Sequence, residues 1–250
     1  MSQFFDYQLH DNLSQHARLG LVVLQTDETI EHDFQRLLPP DIASLNVTRV
    51  PSAAEVTKET LAQMAAELPA AASLLPNSFT YQAVGYGCTS GTAVIGAHKI
   101  TELVQQGCAT EAVSNPLTAL IAACQQLNIK RLAFLSPYLE SVSDQLRSRV
   151  HAAGIKTPVF GSFNEQVEAN VVRISGEAII AAAVDLGQQD DCDAVFLSCT
   201  NLRTLDVIAR IEERINKPVL SSNQVLAWHL AKLAGLKLQH QNYGRLISSS

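Results

Sequence analysis

The sequence has no Cys-x-x-Cys pair and no His-Glu-x-x-His, and its seven histidines are scattered. The spacings that build structural or catalytic zinc sites are therefore absent. No Gly-Lys-Ser/Thr follows its glycine-rich stretch, which excludes a P-loop. A basic excess is missing too: 18 Lys and Arg stand against 24 Asp and Glu, for a net charge of −6. With no Lys/Arg run to neutralise phosphates, nucleic acid is not an expected partner. No apolar run approaches the roughly 18 residues that a membrane span needs. The opening Met1-Ser-Gln-Phe-Phe-Asp-Tyr-Gln8 has no basic segment followed by an apolar one, so it does not read as a signal peptide. Five cysteines, an odd number without framework spacing, argue against a disulfide scaffold and for a cytoplasmic setting.

What is present is a chain of 250 residues, 47% hydrophobic and 17% charged, enough for one large domain or two compact ones around a real core. Arg18–Leu24 is a short apolar run, the mark of a buried parallel strand. A loop with Thr26 and Asp27 follows and caps a helix from about residue 28 to 38, where Pro39-Pro40 stop it. A strand at 43–50 and a helix at 52–67 with Ser52 as cap come next. The strand 81–87 is followed by a helix over 92–106. The pattern then restarts, with strands at 111–114, 131–136, 158–161, 194–198 and 218–222. Helices are expected between them at 116–127, 139–153, 165–186 and 205–215, and a last one at 224–234. Alternating strands and helices predict an α/β protein with parallel sheets. Two similar lobes are expected, each a sheet flanked by helices, with the active site in the cleft between them. Residues 1–111 plus 218–250 are expected to form one lobe and 112–217 the other.

The stretch that carries chemistry is Val84-Gly-Tyr-Gly-Cys-Thr-Ser-Gly-Thr92, and it has a distant partner in Phe196-Leu-Ser-Cys-Thr-Asn-Leu-Arg-Thr204. Each is an apolar strand that ends in a small residue, then Cys-Thr, then a polar residue. In parallel sheets ligands sit beyond the carboxyl ends of the strands. Both cysteine turns, the Asp27 loop, Ser136-Pro-Tyr138 and Ser221-Ser-Asn223 belong there. A helix N-terminus lowers a thiol pKa, and both Cys88 and Cys199 are expected to precede one. Glycines 85, 87 and 91 let a ligand approach the backbone. The hydroxyls of Thr89, Ser90 and Thr200 suit a carboxylate or an enediolate. The expected chemistry is proton transfer or addition beside a carboxylate, one cysteine acting as thiolate and the other as thiol from the opposite face.

A cysteine at a strand end is more often a small buried hydrophobe than a nucleophile. The repeated Cys-Thr context reverses that for Cys88 and Cys199, whereas Cys108, Cys124 and Cys192 lack it and read as structural. The glycine run fails as a dinucleotide loop because Ser90 stands where Gly-x-Gly-x-x-Gly needs glycine. Tyr86 reads as a core aromatic, Trp228 and His229 as packing residues, and Asp27 by itself as a helix cap.

From Arg18 to Leu246 the chain resembles the aspartate/glutamate racemase superfamily, in its maleate cis-trans isomerase and arylmalonate decarboxylase branch. The resemblance rests on Gly85-Tyr-Gly-Cys-Thr-Ser-Gly-Thr92, on Leu197-Ser-Cys-Thr-Asn-Leu-Arg203 with Leu205-Asp-Val-Ile208, on Lys217-Pro-Val-Leu-Ser-Ser-Asn-Gln224 with Ala227-Trp228, and on Tyr243-Gly-Arg-Leu246. It implies two α/β lobes, no cofactor, no metal and a small carboxylate substrate. Dimers are common in the superfamily, so by analogy a homodimer is expected. Cys88 matches the first catalytic cysteine, understood in maleate isomerases to add to the alkene carbon and give a succinyl-cysteine-like intermediate. Cys199 matches the second, a proton donor or acceptor. Arylmalonate decarboxylases have glycine where Cys88 stands, which argues against that activity. Tyr138 matches a tyrosine that contacts a substrate carboxylate, and Asn170 in Val167-Glu-Ala-Asn170 an asparagine that lines the pocket. Thr89, Ser90, Thr200 and Asn201 fall on the oxyanion-binding turns.

One departure concerns the substrate. Maleate isomerases usually carry Pro-Ser-Ser-Asn after the first strand, where this chain has Leu24-Gln-Thr-Asp27. An aspartate there repels a second carboxylate and can accept hydrogen bonds from an ammonium group. The Asp27-Glu-Thr29 pattern also resembles the ectoine-utilisation subgroup of the branch. The resemblance thus leaves cis-trans isomerisation of a maleate-like diacid beside racemisation of an amino-dicarboxylate. A small-molecule-binding protein of the same fold without turnover is the alternative of another class.

Overall fold

The structure is a computed structural model that describes residues 2–9, 16–53, 57–238 and 242–249. Residues 2–9 carry no regular structure and are exposed; residues 10–15 lie outside the described residues. Eight strands form two four-stranded sheets, and every pairing within them is parallel. The first sheet has the order β2-β1-β3-β4, from β1 (Ala17–Leu24), β2 (Ala43–Val50), β3 (Tyr81–Gly87) and β4 (Thr110–Ser114). The second has the order β6-β5-β7-β8, from β5 (Arg131–Tyr138), β6 (Lys156–Glu165), β7 (Ala194–Leu197) and β8 (Val219–Ser221). Renumbered by four, the two orders are the same, so the expected pair of similar α/β lobes is what the chain builds.

The alternation of β1 explains its central place. Leu19, Leu21 and Val23 face one side and join the large core that runs into the second sheet. Val22 and Leu24 face the other side, where helix α2 (Lys58–Ser73) covers them. A strand apolar on both faces can only sit between two covering layers.

Several boundaries differ from the expected ones, among them the helix expected over 165–186, which is two, Glu168–Val171 and Gly176–Gly187. The helix expected from residue 52 starts at Lys58 with Thr57 in a capping box, because Thr57 and Thr60 satisfy each other's backbone N–H groups. Ser52 bonds the Thr26 hydroxyl instead, at 3.1 Å. The single helix expected over 92–106 is two, α3 (Thr89–Ile95) and α4 (Ala97–Gly107). Gly96 breaks them apart with φ of 92°, a conformation that costs glycine little. The strand at 218–222, expected in the lobe with the N-terminus, pairs with β7 in the second sheet. Its three residues complete the second sheet. The chain returns to the first sheet only through α10 (Ser222–Leu233), which packs on α5 (Pro116–Gln126), on α1 (Ile30–Leu37) and on β3. Likewise β4 runs through the expected division at 111 and belongs wholly to the first sheet.

Candidate active site

The central strands of both sheets point their carboxyl ends at one place. Asp27 follows β1, Cys88 follows β3, Tyr138 is the last residue of β5, and Cys199 stands two residues beyond β7. Asp27, Cys88, Thr89, Ser90, Tyr138, Cys199, Thr200 and Asn201 all line one partly open cavity of about 20 Å³. That is little more than one water molecule needs, so even a four-carbon acid must push the lining apart to enter.

Each thiol is held by a backbone N–H. Cys88 is the N-cap of α3, and its Sγ accepts from the Gly91 N–H at 3.2 Å. Cys199 Sγ accepts from the Asn201 N–H at 3.3 Å. The Tyr138 hydroxyl donates to Glu168 Oε1 at 2.5 Å. Its oxygen also lies 3.0 Å from Cys199 Sγ, a contact in which either atom can donate.

Cys199 departs from the expected symmetry. It does not head a helix: a turn follows it, and α9 (Ile208–Ile215) begins only nine residues later. Its φ is 152°, a conformation that costs a side-chain-bearing residue of order 1–3 kcal/mol and persists only where neighbours enforce it. Ser222 Oγ does so by accepting the Cys199 N–H at 3.1 Å, and the same hydroxyl accepts from Thr89 Oγ1 at 2.8 Å. One serine at the start of α10 thereby fixes both cysteine turns.

The expected depression of the thiol pKa values does not occur. Burial pushes Cys88 up to about 12, against the Gly91 hydrogen bond, and the Glu168 and Asp27 carboxylates push it further in the same direction. Burial also raises Cys199 well above its ordinary value, with Glu168 again the next cause. The dipole of the seven-residue α3 is too weak to reverse the loss of solvent.

Asp27 is 3% exposed. Its Oδ1 accepts the N–H groups of Thr29 and Ile30, both at 2.8 Å, at the start of α1, whose N-cap position is Thr29 rather than Asp27. Its Oδ2 is buried without a hydrogen-bond partner. Burial raises its pKa, opposed by those two N–H groups, the Thr200 hydroxyl and Arg49.

A family model, Arylmalonate decarboxylase, matches residues 96–247, more than half of the chain. The chain belongs to this family. Among its relatives, the maleate isomerase of Geobacillus stearothermophilus is 24% identical over 94% of this chain and 99% of that protein. The arylmalonate decarboxylase of Bordetella bronchiseptica is 27% identical over 53% of this chain and 56% of that protein. Among solved structures, a mutant maleate cis-trans isomerase of Nocardia farcinica with a covalently bound succinylcysteine intermediate superposes with a TM-score of 0.85. It is 23% identical, and the match covers 94% of this chain and 99% of that one. The fold and the branch expected from the cysteine motifs are thus the ones found.

In this family member the segment 167–170 reaches the cavity through a different residue than expected. Asn170 is exposed and does not line the cavity; Glu168 does, and it is 5% exposed. The short α7 (Glu168–Val171) begins at Glu168. Two residues along a helix turn the side chain by about 200°, which puts Asn170 on the opposite face. Asn201 lines the cavity but already has partners. Its Oδ1 accepts the Glu28 N–H at 2.9 Å and its Nδ2 donates to Glu168 Oε2 at 3.0 Å. It positions the two acidic segments relative to each other.

The Ser221-Ser-Asn223 turn, expected at the strand ends, contributes Asn223, whose Nδ2 donates at 2.8 Å both to Asp33 Oδ2 and to the Thr200 carbonyl. The signal was present in Ser221-Ser-Asn-Gln224, a capping box at the mouth of α10. Glu168 had no such signal. Cys108, Cys124 and Cys192 are buried away from the cavity, as their contexts suggested. Tyr86 is wholly buried, and His229 Nδ1 meets Ser114 Oγ at 2.7 Å, also outside the cavity.

Proposed function

We propose that this chain is a cofactor-independent isomerase in which Cys88 and Cys199 act on a small carboxylate. The observation that carries the reading is the convergence of two cysteines, from equivalent central strands of two sheets of the same order, on one cavity. Full-length relatives named maleate isomerase and the neighbour with a succinylcysteine intermediate support it.

In the cis-trans form, the Cys88 thiolate adds to one alkene carbon. The S–C bond forms as the π bond breaks, and its electron pair moves toward the carboxylate. Rotation about the resulting single bond and expulsion of the thiolate give the trans acid and return the sulfur unchanged. Cys199, hydrogen-bonded with Tyr138, can supply a proton to the intermediate and take it back. On a saturated amino acid the same pair performs a two-sided exchange: the Cys88 thiolate takes the α-proton and the Cys199 thiol delivers one to the other face. The first N–H groups of α3, at Thr89 and Ser90, have no partner within the helix and suit the developing carboxylate charge.

Proton NMR in deuterium oxide with maleate, L-aspartate and L-glutamate tests the reading. Fumarate formed from maleate, or loss of an α-proton signal, is the expected result. Retention of every carbon-bound proton and of the maleate geometry would reduce the chain to a binding protein of the same fold.

A further inference from the structure

The cavity is lined by two carboxylates, and among the described residues that line it there is no Lys, Arg or His. Both acids are more than nine-tenths buried. Donors face both acids: two backbone N–H groups and the Thr200 hydroxyl on Asp27, and the Tyr138 hydroxyl and Asn201 amide on Glu168, while burial raises the pKa of each. Such partners favour the ionised form. Each carboxylate oxygen has lone pairs for a second donor. Asp27 Oδ2 lacks even a first one. The nearest guanidinium, Arg49, is spent elsewhere: it donates to the carbonyls of Leu24, Gln25 and Asp27 and pairs with Glu31. A diacid entering this cavity would meet two carboxyl groups and, among the described residues, no positively charged side chain.

We propose that the site selects a carboxylate that also carries a protonated amine beside the reacting carbon, with the ammonium hydrogen-bonded by Asp27 Oδ2 and facing Glu168. This rests on the isomerase reading above and narrows its substrate. It also answers the question raised by the high thiol pKa values. The two carboxylates are among the causes that hold both thiols protonated. An ammonium ion paired with them cancels that field. The bound substrate thus lowers the cost of forming the Cys88 thiolate at the moment it is needed, and an uncharged analogue does not.

Succinate and L-aspartate differ only by the amine, so their comparison isolates the ammonium. Binding of L-aspartate, L-asparagine, succinate and maleate is measured by calorimetry on the wild type, Cys88→Ala and Asp27→Asn. Asparagine can still accept the Thr29 and Ile30 N–H groups, and a circular dichroism melt confirms that the Asp27→Asn variant is folded. The expected result is at least about tenfold tighter binding of the amines by the wild type, with that preference lost in Asp27→Asn. Equal or tighter binding of succinate or maleate by the wild type overturns the proposal. So does the absence of measurable amine binding, or an unchanged preference in a folded Asp27→Asn. The calorimetry separates this proposal from the isomerase reading: amine-selective binding without any proton exchange would sink the isomerase reading and leave the selectivity standing.

Discussion

Tyr138 is the residue on which the division of labour between the thiols turns. Its hydroxyl donates to Glu168 Oε1 and its oxygen lies 3.0 Å from Cys199 Sγ, so it touches one thiol and not the other. The Tyr138 hydrogen bond is also a cause that lowers the Cys199 pKa against burial and the Glu168 charge. Tyr138→Phe removes it, so the Cys199 pKa rises further and any rate limb that depends on Cys199 ionisation moves to higher pH. General acid–base contributions are typically about 10²–10⁴-fold. We expect kcat to fall by about 10²-fold with KM changed little. A pH–rate profile checks both the size and the alkaline direction. An unshifted profile would mean that Tyr138 only shapes the cavity. Cys124, by contrast, is pushed up to about 12 by burial alone and has no carboxylate or tyrosine beside it.

At the scale of the element, the Cys88 turn works because α3 begins with almost no side-chain bulk. A Cβ added to Gly91 would lie 2.6 Å from the Tyr86 hydroxyl and 2.9 Å from Cys88 Sγ. The glycine is what lets its N–H reach the sulfur. Gly91→Ala must therefore displace either the tyrosine or the thiol, at a cost of about 1–3 kcal/mol. A lowered melting temperature together with a loss of turnover is the expected pair of results. An active and equally stable variant would show that the Gly91–Cys88 contact is dispensable. The same element shows what could be read from the chain. Gly-Cys-Thr-Ser-Gly places Cys88 at a strand-to-helix turn from residue types alone. The Ser-Cys-Thr-Asn turn resembles it in letters but not in backbone, because nothing in the residues announces a φ of 152° at Cys199. Ser222 imposes that conformation from the end of the neighbouring strand β8. Glu168 was hidden for a related reason. Whether Glu168 or Asn170 faces inward depends on where a four-residue helix starts, and propensity does not set so short an element to within two residues.

Across the whole molecule, the site exists because two sheets with the same strand order present their central strands to one another. The repeat was legible in the alternation of strands and helices and in the duplicated Cys-Thr. The exchange of elements between the halves was not. β8 completes the second sheet while the helix that follows it covers the first. A three-residue strand of Val-Leu-Ser is compatible with either sheet, and only the crossover from β7 decides it. That crossover brings Ser222 between Thr89 and Cys199 and Asn223 between Asp33 and Thr200, so the two lobes share one polar floor beneath the thiols. A cavity of about 20 Å³ over such a floor implies that substrate entry spreads the lobes or their loops. No helix among the described residues is long and apolar enough to cross a membrane.

The central claim is that two thiols, and only these two, carry the chemistry. It is tested most directly by following solvent deuterium into substrate for Cys88→Ser, Cys199→Ser and Cys124→Ser beside the wild type. The account predicts that each of the first two falls by at least about 10³-fold, as expected when groups act as a unit, while Cys124→Ser keeps the wild-type rate. Exchange that survives in either Cys88→Ser or Cys199→Ser would contradict it.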